Sequence, residues 1–166
     1  MVMLYYDLTW IDAILSSPQD AAEEVEALCN IIKKNAKLEV KSLLHFGCGT
    51  GFHDHTFKKH FEVTGVDLSP DMPKIAREIN PEVDYYCDDM RSVKLETLFD
   101  AVAIPDSIDH TQTVQELRSA IRTAYQHLKP GGLCIILGHI KEEFKANNFV
   151  YSGKKDNLEI TMFENN

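Results

Sequence analysis

Between Ser42 and Gly51 the chain reads SLLHFGCGTG, an apolar run that ends in glycines at alternate positions, Gly47, Gly49 and Gly51. Sixteen residues after Gly51, Asp67 closes a second apolar run, EVTGVD. Glycine takes positive φ without penalty and lets a ligand approach backbone amides that a Cβ would hold away. A short strand, a glycine turn and a helix, with a carboxylate at the end of the next strand, suit an adenosine-containing ligand: the turn receives its polar part and Asp67 accepts from the ribose hydroxyls. The same stretch holds an imidazole, His45, in otherwise apolar company. Just past the turn, His53, Asp54 and His55 are metal-ligand types. Residues two apart on a helix point in different directions, whereas a helical zinc pair needs i and i+4, so these three predict a solvated helix start and no metal site. Cys48, inside the turn, predicts a packed thiol rather than a reactive one.

These residues need elements to hold them. SPQDAAEEVEALCNIIKKN, from Ser17, has acids in its first turns, Lys33 and Lys34 near its end, and Ala21, Val25, Leu28, Ile31 and Ile32 at helical spacing, which predicts a helix with charges complementing its dipole. Strands are predicted at Val40–Phe46, Glu62–Asp67, Val83–Tyr86, Phe99–Ile104 and Leu133–Leu137, and helices at Phe52–Phe61, at Ser69–Ile79 behind a serine cap, and at Val114–Leu128. The KPGG segment, Lys129 to Gly132, predicts a turn that ends the last helix before the fifth strand. Strands that are nearly continuous apolar runs, alternating with helices, imply a parallel sheet covered on both faces. The fold class is α/β, a doubly wound and mainly parallel sheet. After Gly138 a short polar helix at Lys141–Ala146 and an antiparallel hairpin, FVYSGKKDNLEITMF turning at Ser152–Asn157, are expected.

At 166 residues the chain fits a single domain, 1–166: an N-terminal segment and helix (1–40), a core (41–138) and a C-terminal helix and hairpin (139–166). A net charge of −9 argues against binding nucleic acid, whose affinity rests on Lys and Arg neutralising phosphates. No apolar run is long enough for a membrane span and the N-terminus has no basic-then-apolar leader, so a cytoplasmic protein with no membrane partner is expected. Four cysteines without a C-x-x-C pair predict reduced thiols.

From Lys41 to Gly138 the chain resembles the class I S-adenosylmethionine-dependent methyltransferases. Five segments carry the resemblance in order: the glycine turn, Asp67 in GVDLSPDM, the acidic loop Asp88–Asp89–Met90, FDAVAIPDSIDH, and HLKPGG. It implies S-adenosylmethionine as cofactor, its methionyl part against Gly47, Cys48 and Gly49 and its ribose on Asp67. Leu68 and Met72 would line the adenine pocket, Asp89 would accept from the exocyclic amine, and the Met90 amide would donate to the ring. Backbone groups around Pro105 would meet the cofactor's amino group, and Tyr6 and Trp10, in YYDLTW, would close over the site. His45 stands where the family usually has Asp or Glu, a carboxylate that orders the loop and interacts with the cofactor's ammonium end. The acceptor is expected to be a small molecule, with Asp106, Asp109 and His110 placed to take its proton.

Two rivals differ in class. A nicotinamide dehydrogenase would also carry an acid twenty residues after its first glycine, but its third glycine falls at position 52, which is Phe52. A catalytically weak or inactive module of the same fold is supported by His45 and by the early end of the chain. The family fold closes with two antiparallel strands. Either the hairpin supplies them or, as we expect, it begins a separate sheet over the substrate and the chain stops short of them. An exposed sheet edge would then remain through which two copies could pair.

Overall fold

The computed structural model describes residues 9–138 and 148–165. Tyr6 and the short helix expected at Lys141–Ala146 lie outside these residues. Helix α1 (Thr9–Leu15) precedes α2 (Ala22–Asn35); β1 (Ser42–Phe46), α3 (Asp54–Phe57), β2 (Glu62–Asp67), α4 (Met72–Ile79) and β3 (Asp84–Cys87) follow. Then come β4 (Phe99–Ile104), a 3-10 turn at Ser107–His110, α5 (Val114–Gln126), β5 (Leu128–Ile136) and the hairpin β6 (Asn148–Lys155) and β7 (Leu158–Asn165).

The parallel sheet runs β3-β2-β1-β4-β5, so the order reverses between β1 and β4. Alternation along the central strands decides what each face buries. Leu43, Ala101 and Ala103 pack with Val25, Leu28 and Ile32 of α2, Phe57 of α3 and Ala76 of α4. Leu44, Phe46, Val102 and Ile104, one residue out of phase, pack with Ala120 and Ala124 of α5. Every residue of β4 is buried, as a strand covered on both faces requires.

Helix α4 starts later than expected, whereas α5 starts at Val114 as predicted. The cap of α4 is Asp71 rather than Ser69, with no side-chain capping bond; the Ser69 amide instead donates to Asp67 at 2.9 Å. Thr113 caps α5, accepting from the Glu116 amide at 3.1 Å. The KPGG segment is not a turn before β5 but an excursion within it: Phe99 pairs with Leu128 and Ala101 with Leu133. Gly131, at φ +88, carries the chain around it.

The hairpin strands pair with each other as a separate two-stranded sheet, the arrangement expected. Its turn is tighter than predicted, between Lys155 and Leu158, with Asp156 at φ +54. Helix α1 lies against the hairpin so closely that a Cβ on Gly153 would overlap the Ile14 carbonyl. Among the described residues no helix is long and apolar enough to cross a membrane.

Candidate functional site

The carboxyl ends of β1, β2 and β4 meet at the point where the strand order reverses, the usual ligand crevice of an open α/β sheet. Gly47, Gly49 and Gly51 all take positive φ, +69, +52 and +77. At Gly47 the reason is close packing: its carbonyl accepts from the Ser107 hydroxyl at 3.0 Å, and a Cβ there would overlap the Ser107 side chain. At Gly49 the reason is the backbone alone, since an added Cβ would meet nothing within 4 Å. The space over Gly49 is therefore open, and a ligand can approach the chain there.

Asp67 ties the turn to the loop after β2. Its Oδ2 accepts from the Gly49 amide at 2.8 Å and its Oδ1 from the Ser69 amide at 2.9 Å. Each oxygen retains a lone pair for a further donor. Beside it Leu68 is 51% exposed while Met72 is buried, so of the two residues assigned to the adenine pocket only Leu68 presents an open apolar surface. Cys48 is buried, and burial first, then the nearby Asp54 and Asp67 charges, push its thiol well above the ordinary range. It packs, and is no nucleophile.

In the loop after β3, Asp89 is held by its neighbour: Arg91 Nε lies 2.9 Å from both carboxylate oxygens and Nη2 2.6 Å from Oδ2. These bonds outweigh partial burial and hold the carboxyl below its usual range. Arg91 also reaches Glu116 of α5 at 2.6 Å. The arginine thus fixes where Asp89 points, a role not foreseen although it lies two residues away.

Pro105 is buried at the end of β4, and Asp106 follows at φ +59, ψ −33, with the Ser107 amide donating to the Pro105 carbonyl at 2.6 Å. This is a γ-turn of the strained, positive-φ kind, uncommon for a residue with a Cβ. It brings the exposed carboxylate of Asp106 to the crevice; Asp109 and His110 are also exposed, on the 3-10 turn beyond it. Trp10, in α1, is 45% exposed.

The largest departure from expectation concerns the histidines. Asp54 is no part of a solvated helix start: both it and His45 are fully buried, and their Oδ1 and Nδ1 lie 2.6 Å apart. The His45 ring packs edge-on to Phe57 at 5.6 Å and lies 5.8 Å from the His53 ring. Burial chiefly, and then His45, push His53 down to about 4, against the opposing charges of Asp54 and Asp106. Sequence spacing does not show the pairing, because it depends on how the glycine turn folds α3 back over β1. A histidine inside a strand otherwise made of core residues is the one signal that a buried partner was needed.

A doubly wound sheet, a glycine turn after its first strand and an acid closing its second define a nucleotide-binding protein of the Rossmann-like class. Within that class the chain belongs to the methyltransferase domain family, whose model matches residues 43–132. It is 33% identical over 133 residues to a dTDP-3-amino-3,4,6-trideoxy-alpha-D-glucopyranose N,N-dimethyltransferase of Streptomyces venezuelae, covering 79% of this chain and 54% of that protein. To a dTDP-3-amino-3,6-dideoxy-alpha-D-glucopyranose N,N-dimethyltransferase of Streptomyces fradiae it is 32% identical, covering 71% and 47%. The chain spans about half the length of these curated relatives. Among solved structures it is similar to an S-adenosylmethionine-bound amino pentose methyltransferase of Micromonospora echinaspora, with a TM-score of 0.74, 25% identity, and coverage of 87% of this chain and 75% of that one.

Proposed function

We propose that the chain binds S-adenosylmethionine and transfers its methyl group to a small-molecule acceptor, specifically an amine such as that of an amino sugar. The observation that carries this is the open cradle over Gly49, tied by its amide to Asp67 and flanked by Leu68. The donor set fits the cofactor. The amides of Gly47 and Cys48 are spent on the Val66 carbonyl and that of Gly49 on Asp67. The turn would therefore meet the cofactor's polar end by close backbone approach over Gly49 together with the groups around Pro105, while Asp67 offers lone pairs to the ribose hydroxyls and Leu68 apolar surface to the adenine. Asp89 and the Met90 amide would complete the adenine edge, Asp89 sharing its carboxylate with Arg91. The names of the relatives support the amine, since both act on amino sugars.

When bound, the cofactor supplies a methyl group on a positively charged sulfur. The protein then has chiefly to align, which is worth roughly 7 to 11 kcal/mol in favourable cases. Asp106, with Asp109 and His110 behind it, would hold the acceptor at the crevice, and its carboxylate can take the proton that an ammonium group must lose to expose its lone pair before it attacks. Trp10, on α1 beside the hairpin, would belong to a wall that covers the site.

Isothermal titration of the purified chain with S-adenosylmethionine and with S-adenosylhomocysteine tests the assignment. Micromolar binding of either is expected. A folded protein that binds neither at millimolar concentration would overturn it.

A further inference from the structure

The buried pair His45–Asp54 is not explained by stability. Taking a carboxylate and an imidazole out of water costs several kcal/mol per charge, and such a pair returns that only when its remaining valences are satisfied. Here His45 Nε2 is buried without a hydrogen-bond partner, and the Asp54 carboxylate has the buried Tyr85 hydroxyl beside it but no hydrogen bond of good geometry to its Oδ2. Apolar side chains would fill the same space at lower cost. What the pair does provide is a fixed direction. His45 sits mid-sheet, in register with Gly65 of β2 and Ala103 of β4, so its backbone cannot move. Its imidazole is met by His53, Asp54 and Phe57, three residues from the first turn of α3 and its cap. Between these anchors runs the glycine turn, whose positive-φ residues have more conformational freedom to lose than any others.

The far side of the turn is held as well. The Gly51 carbonyl accepts from Asn80 Nδ2 at 2.8 Å, and the same nitrogen lies 3.0 Å from the Tyr85 hydroxyl. The Val66 carbonyl also accepts from the Gly47 and Cys48 amides, and the Ser107 hydroxyl donates to the Gly47 carbonyl, so with Asp67 on Gly49 the turn is pinned at several points. Among the described residues the His45–Asp54 contact is the side-chain hydrogen bond that ties the start of α3 to the strand preceding the turn.

We propose that His45 and Asp54 are positioning residues for the cofactor site, a buried imidazole–carboxylate latch that closes the glycine turn into its ligand-binding shape. The inference rests on the cofactor assignment above. It gives Asp54, nine residues after His45, the loop-ordering duty that the resemblance placed on a carboxylate in the strand itself. Without the latch the turn samples other shapes, and affinity falls by the fraction of molecules that are competent.

S-adenosylhomocysteine is the probe, titrated calorimetrically into wild type, Asp54→Asn, and the exchanged double variant His45→Asp/Asp54→His, with folding followed by circular dichroism. Asp54→Asn keeps the volume and removes the charged acceptor, and should weaken binding about tenfold while unfolding remains cooperative. The double variant restores one carboxylate and one imidazole in opposite places, and should recover to within about threefold of wild type, a rescue that mere filling of space would not produce. Wild-type affinity in Asp54→Asn, or a folded double variant that stays as weak as the single one, would overturn the latch. If Asp54→Asn does not fold, the double variant alone decides, by binding or by failing to bind. Failure of the wild type to bind the probe would instead remove the cofactor assignment itself.

Discussion

At the amino end of the parallel sheet Asp100 commits its carboxylate to the protein, whereas at the carboxyl end Asp67 takes one amide on each oxygen and holds capacity back. Asp100 is buried; its Oδ2 accepts from the Lys41 amide at 2.9 Å, the Ser42 amide at 2.9 Å and the Ser42 hydroxyl at 3.0 Å, and its Oδ1 from Lys129 at 2.9 Å. Burial alone would raise its pKa, but Lys129 and the Lys41 and Ser42 donors together hold it far below the carboxylate range. Asp67 stands half-buried over an open cradle. The same residue type closes one end of the sheet and leaves the other open, and the difference lies in how many donors the chain itself supplies. Satisfied acceptors add stability, and the partly satisfied one at the crevice adds a place for a ligand.

The contrast can be broken at three places. The largest effect is expected at Gly47→Ala, where a left-handed backbone and overlap with Ser107 combine: stability in urea should fall by about 3 kcal/mol, and Ser107→Gly in the same chain should return part of it. Next, Asp100→Asn should cost about 2 kcal/mol near neutral pH, because buried donors lose a charged acceptor, while affinity for the cofactor stays unchanged. The sign with pH follows from the depressed value: the stabilisation is present above the ordinary carboxylate range and is lost as pH falls below about 4. The difference in urea midpoint between wild type and Asp100→Asn should therefore be smaller at pH 3 than at pH 7. Smallest is Asp67→Ala, with a loss of at least about 1 kcal/mol in cofactor binding by titration. An unchanged affinity would mean that the ribose is held elsewhere.

Much of the scaffold was legible because its periods are local. Glu62–Asp67 and Phe99–Ile104 are strands at the expected limits, since apolar runs of that length between turn residues have one reading. The glycine turn was legible too, because positive φ restricts residue choice so strongly. What escaped were features set by contacts distant in sequence or by neighbours that compete. Ser69 has the composition of a cap, yet its amide goes to Asp67 and the helix waits until Met72. Lys129–Gly132 has turn composition, yet Leu128 already pairs with Phe99, so the glycines serve a detour within a strand. The HDH stretch predicts a solvated Asp54 at a helix start, and only the fold of the turn shows it buried with His45. Helix α1 had no strong periodic signal and is supported by the hairpin it packs against.

Because one carboxylate holds both Gly49 and Ser69, the loop after β1 and the loop after β2 are mechanically joined. On the proposed cofactor reading, ordering either loop would prepay part of the entropy for its partner, and the two halves of the ligand would bind with positive linkage rather than as independent fragments. Adenosine and the amino-acid moiety, offered separately, would each sense whether the other is present.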